Sequence, residues 1–147
     1  MPLRHWTVYC DGSAMPNPGR MGAGAVITEP DGTRHTLSLA SHAIGCNNEA
    51  ELRALTLALE ELKARGATAV LAYTDNSILV EQLGAPGARP IERMAGLFED
   101  ARALLGSFEE VSLRWVPRHR NHEADALARA SLGFAPKPAA RTTKKKR

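Results

Sequence analysis

Two apolar runs in this chain end in the same way. Trp6-Thr7-Val8-Tyr9-Cys10 leads into Asp11, and Ala69-Val70-Leu71-Ala72-Tyr73-Thr74 leads into Asp75. Both are short and rich in β-branched and aromatic residues, the pattern of buried strands. Between them, Glu49 to Arg65 changes the period, with Leu52, Leu55, Leu59 and Leu62 at helical spacing. A strand, a helix and a second strand of this kind pair in parallel through a right-handed crossover. Both aspartates are then expected at the carboxyl ends of neighbouring strands, where open α/β sheets place their sites. Asp11 reads as the last residue of its strand, because Gly12, Pro16, Pro18 and Gly19 follow with turn chemistry. Taken alone, Asp11-Gly12 reads simply as the opening of that turn.

The remaining elements complete one domain. Gly22 to Glu29 is expected as a second strand whose small residues permit close backbone approach. Pro30-Asp31-Gly32 turns it into a third strand at Thr33 to Ser41, giving an antiparallel meander. Asn47-Asn48 offers an N-cap to the long helix. After Asp75 come a short helix, Asn76 to Leu83, a loop, Gly84 to Pro90, and a second amphipathic helix, Ile91 to Leu105. Val111 to Val116 is the last strand, Pro117 to His122 a basic loop, and Asn121 caps a final helix to about Ser131.

Charge is unevenly spread. Lys137, Arg141, Lys144, Lys145, Lys146 and Arg147 fall in the last eleven residues, which hold no acid. Of the 19 basic and 16 acidic residues, 13 and 16 remain without them, so a net +3 becomes −3. Residues 1–135 read as the folded domain and 136–147 as a basic, disordered tail, either attracting a polyanion or aiding solubility. Cys10 and Cys46 make no CxxC pair and read as reduced thiols. No run approaches the roughly 20 apolar residues of a membrane span, and Met1 to His5 has no apolar signal region. The expectation is a cytoplasmic monomer with no membrane partner.

Four acids stand where composition would not place a charge. Asp11 and Asp75 end strands; Glu51 lies at the edge of the long helix's leucine face; Asp125 shares a face with Ala128 and Leu132. Carboxylates gathered without a counter-ion repel one another and hold their protons. Divalent cations remove the conflict, and Mg²⁺ favours a few carboxylates together with substrate phosphate. Two such ions about 4 Å apart assist in-line phosphoryl displacement.

Asp11-Gly12-Ser13 with Asn17-Pro18-Gly19, then Asn47-Asn48-x-x-Glu51, Thr74-Asp75, Trp115-Val116-x-x-His119 and Ala124-Asp125-x-Leu127-Ala128 together resemble type 1 ribonuclease H over residues 6 to 133. The resemblance implies an α/β, RNase H-like fold: a mixed five-stranded sheet, second strand antiparallel, flanked by helices. It implies an endoribonuclease that cleaves the RNA strand of RNA–DNA hybrids with two Mg²⁺ ions, for which Mn²⁺ can substitute. Asp11 would bridge both metals, Glu51 and Asp75 would complete one, and Asp125 would hold the other. His119 would act as general acid/base or assist product release, although it reads equally as a surface histidine; His122 is a local alternative. Asn17, Asn47 and Asn48 match substrate-reading positions, and Gly12 would let its backbone approach the RNA strand.

The chain departs from many bacterial members of the family. It has no long basic protrusion between the Asp75 segment and the last strand, so hybrid affinity is expected to be weaker or borrowed from the tail. It resembles the shorter branch of the family, some of which accepts double-stranded RNA. Cys46 stands where a threonine commonly precedes the Asn pair, at a phosphate contact. The competing reading is a non-catalytic nucleic-acid-binding domain of the same fold, which gives no reason to retain four costly acids.

Overall fold

The computed structural model of the chain describes residues 4–84 and 91–135. The basic end, 136–147, and most of the expected Gly84–Pro90 loop lie outside the described residues. Five strands form one sheet: β1 (Trp6–Met15), β2 (Gly19–Thr28), β3 (Arg34–Gly45), β4 (Ala69–Thr74) and β5 (Glu110–Trp115). Their order is β3-β2-β1-β4-β5. The meander β1–β2–β3 is antiparallel, whereas β4 pairs in parallel with both β1 and β5. This is the mixed sheet the resemblance implied.

The first strand is longer than its sequence suggests. It does not stop at Asp11 but continues to Met15, paired to β2 throughout, from Thr7 opposite Thr28 to Met15 opposite Arg20. Only its parallel pairing with β4 ends early, at Tyr9 opposite Tyr73. Asp11 therefore sits within a strand, just past the point where β1 and β4 part, and Asp75 follows the last residue of β4. Asp11 and Asp75 accordingly share one edge of the β1–β4 pairing. β3 likewise runs beyond the expected Ser41 to Gly45.

Helices cover both faces. α1 (Asn47–Ala64) buries Leu52, Leu55, Leu59 and Leu62 completely. They pack with Val8, Cys10, Ala25, Ile27, Val70 and Ala72 of the sheet and with Phe98 of α3 (Ala95–Gly106). Each such leucine contributes about 2 kcal/mol, which anchors the helix that carries Glu51. α2 (Ser77–Gly84) follows Asp75 and Asn76. The helix expected from Ile91 begins instead as a 3₁₀ turn, Glu92–Met94, before α3. On the opposite face α4 (His122–Ser131) lies on β2, where a side chain at Gly22 or Gly24 would collide with the Ala128 or Ala124 carbonyl. The small residues of β2 are thus explained by close approach, as expected. Among the described residues, no helix is long and apolar enough to cross a membrane.

Candidate active site

Three of the four acids meet where β1 and β4 part. Asp11, Glu51 and Asp75 each offer a carboxylate oxygen within 4.8 Å of the others. Asp11 is 6% exposed. Burial first, and then Glu51, Asp75 and Asp125, push its carboxyl far above the usual aspartate range. Burial also raises Glu51; hydrogen bonds from Asp11 and Asn76 oppose the shift, and the charge of Asp75 reinforces it. Among the described residues, none of the three carboxylates is ion-paired with a basic side chain.

Asp125 stands slightly apart. It lines the same cleft, from the first turn of α4, and its charge reaches Asp11. Its carboxylate pairs with Arg129 one turn on, at 3.4 Å. The cleft, about 540 Å³, also contains Gly12, Asn17, Asn47 and Asn48. A larger and more apolar groove of about 830 Å³ involves β3, α1 and α3 but none of the four acids.

The asparagines are not helix caps. Cys46 occupies the N-cap position of α1, with no side-chain cap bond, and both Asn47 and Asn48 are already helical. The Ala14 amide donates to Asn47 Oδ1 at 2.9 Å, and the Asn47 amide donates to Asn17 Oδ1 at 3.1 Å. These bonds tie the Pro16–Pro18 turn to the start of α1. Cys46 receives a hydrogen bond from Arg93 at 3.3 Å. Both cysteines are free thiols.

Sequence reasoning passed over two residues here. Asn121 does sit at the N-cap position of α4, but its side chain makes no cap bond. Its Nδ2 donates to the Cys10 carbonyl at 2.9 Å and to Asp75 Oδ2 at 3.1 Å. It is buried, and its own Oδ1 has no partner among the described residues. Asn76 donates to Glu51 Oε2 at 2.5 Å and to Asn48 Oδ1 at 2.8 Å. The available signal was position: Asn76 directly follows Asp75, and Asn121 lies one helical turn before Asp125. Trp115, exposed at the end of β5, donates its indole N–H to the Asp75 carbonyl at 3.1 Å.

His119 is not brought into the cleft. It stands exposed on the 3₁₀ turn Arg118–Arg120, whereas its neighbour Arg118 lines the cleft. Side Gly12 presents to α1 is filled by helix backbone: a Cβ there would lie 2.2 Å from the Ala50 carbonyl oxygen. That close approach is a packing reason for glycine at this position.

Comparison with known proteins agrees with this arrangement. A family described as reverse transcriptase-like matches residues 9–131. The bifunctional protein Rv2228c of Mycobacterium tuberculosis is 34% identical over 135 residues, 90% of this chain but 37% of its own. The chain thus spans little more than a third of that relative's length. The crystal structure of RNase H1 from Halobacterium salinarum superposes with a TM-score of 0.82 at 30% identity, covering 88% of this chain and 98% of the other. LC11-RNase H1, solved in complex with an RNA/DNA hybrid, gives 0.77 at 27% identity, with 87% and 96% covered. With its sheet order, its acids at the parting of β1 and β4 and these likenesses, the chain belongs to the type 1 ribonuclease H family.

Proposed function

We propose that this chain hydrolyses the RNA strand of RNA–DNA hybrids, with two Mg²⁺ ions, replaceable by Mn²⁺, held by Asp11, Glu51, Asp75 and Asp125. One observation carries the reading: three carboxylates within 4.8 Å of one another, with no basic partner among the described residues. Such a set is stable as three anions only around a cation, and an all-oxygen donor set suits Mg²⁺ or Mn²⁺. Asp11 would be the carboxylate common to both ions, since it lies with Glu51 and Asp75 in the cluster and shares the cleft with Asp125. Divalent cations at such a site neutralise phosphate charge and lower the pKa of an attacking water.

The chain's own residues do the rest. Asn121 and Trp115 hold Asp75 through its carboxylate and its carbonyl. Asn17, Asn47 and Asn48 present amides along the cleft, where a ribose 2′-hydroxyl distinguishes RNA from DNA. Arg118 and Arg129 place positive charge beside the bound backbone. As the water oxygen bonds to phosphorus, the ester oxygen leaves and needs a proton. His119, exposed on the turn beside Arg118, is the residue we assign to carry it. The active unit is a monomer, working in the cytoplasm, and the basic tail supplements a body that lacks a basic protrusion.

The test is a side-by-side cleavage assay on one sequence as RNA–DNA hybrid, duplex RNA and single-stranded RNA. The hybrid is expected to be cleaved fastest, with duplex RNA slower and single-stranded RNA intact. Equal cleavage of all three, or none of the hybrid, would overturn the reading.

A further inference from the structure

Asn76 is the most fully committed polar side chain at the site. It is buried between β4 and α2. Its Oδ1 accepts from the Ile78 amide at 2.8 Å and the Leu79 amide at 3.3 Å, at the start of α2. With the oxygen committed there, the amide has only one orientation, and its Nδ2 faces Asn48 and Glu51. Both are within reach: Asn48 Oδ1 at 2.8 Å and Glu51 Oε2 at 2.5 Å. One NH₂ group therefore joins a cleft asparagine to a carboxylate of the acidic cluster.

We propose that Asn76 is a positioning residue that couples recognition of the RNA ribose at Asn48 to divalent-cation binding at Glu51. The inference rests on the reading that this cleft takes an RNA–DNA hybrid. Because Asn48 Oδ1 is occupied by Asn76, the Asn48 amide turns its N–H donors to the ligand, and these suit an acceptor such as a 2′-oxygen or a minor-groove base atom. Asn47 is fixed in the same sense, its oxygen being held by the Ala14 amide. A ribose that draws on Asn48 thus acts on the same nitrogen that orients Glu51. A carboxylate held by such a donor keeps the orientation a cation requires, and losing partners of this kind lowers metal affinity about 10-fold or more. The coupling is reciprocal: a hybrid should raise cation affinity more than an all-DNA duplex does, and cations should sharpen the preference for hybrid.

A purely structural role, capping α2, makes a different prediction. Ser caps helices about as well as Asn, yet its side chain is too short to reach Asn48 and Glu51. Asn76→Ser separates the two roles. Mn²⁺ binding to the free protein is measured by titration calorimetry, and binding of hybrid and of same-sequence duplex DNA is measured in Ca²⁺. Asn76→Ser is expected to bind Mn²⁺ about 10-fold more weakly and to lose about 5-fold of its hybrid preference, while melting near the wild-type temperature. Unchanged Mn²⁺ affinity with unchanged hybrid preference would overturn the proposal. Should Asn76→Ser fail to fold, Asn48→Ala answers the same question, since it leaves the α2 cap and every carboxylate intact. It is expected to weaken Mn²⁺ binding about 3-fold, and no change would overturn the coupling. A wild-type protein without preference for hybrid would instead defeat the functional reading, and this inference with it.

Discussion

Asp11→Asn is expected to lower hybrid cleavage by about 10³-fold or more and, in the same protein, to raise the stability of the metal-free fold. Asp11 is the most buried of the three clustered carboxylates and is influenced by the other three acids. Asparagine matches its shape but removes the charge that holds cations. The stability gain follows from the proton. Folding raises the carboxyl pKa values of Asp11 and Glu51, so the folded protein binds protons the unfolded chain has released. Stability is then greatest below the unfolded values and falls as pH rises. For Glu51 the fall runs from its ordinary 4.5 to about 7; for Asp11 it begins near 3.8 and continues into the alkaline range. Each retained proton contributes a slope of about 1.4 kcal/mol per pH unit. Asp11→Asn removes one such proton and should flatten the decline. Calorimetric melting in chelator at about pH 5 and about pH 8 checks this. A variant that cleaves hybrid within tenfold of wild type, or that loses stability with pH as steeply, contradicts the account.

Gly12→Ala is expected to destabilise the protein by about 3 kcal/mol and to impair catalysis beyond that loss. Its Cβ would fall 2.2 Å from Ala50 O, 2.3 Å from Ala50 C and 2.5 Å from Glu51 N. All three are backbone atoms of a helix pinned by buried leucines, so no side chain can rotate away. Either β1 or the start of α1 must shift, and Glu51 shifts with it relative to Asp11. Gly96→Ala is the control, since a methyl there meets open space and alanine favours the helix. Denaturant unfolding should separate the two variants. Equal stability of Gly12→Ala and wild type would mean that the approach of α1 to β1 is not tight.

These two residues also show what could be read from the chain and what could not. Periodicity placed the helices and strands in order, and the acids were recognisable because each interrupts an apolar pattern. Gly12 misled the reading of β1. A glycine followed by prolines signals a turn, yet here glycine admits a helix against a strand that continues to Met15. That is a tertiary demand, and local turn chemistry carries no trace of it. The asparagines misled for a related reason. An Asn before a helix reads as a cap, but Asn47, Asn48 and Asn121 make contacts across the fold instead. Asn76 does cap its helix while also reaching Glu51 and Asn48, a double use visible only once β4 lies beside α1. The 3₁₀ start before α3 left no clear mark in the apolar spacing.

The central claim is that the acids at the parting of β1 and β4 hold cations that enable hybrid cleavage. The most direct measurement is the cleavage rate of a labelled RNA–DNA hybrid in Mg²⁺, in chelator, and with Asp75→Asn in Mg²⁺. The account predicts products in the first condition and none in the other two. Undiminished cleavage in chelator, or by Asp75→Asn, would contradict it.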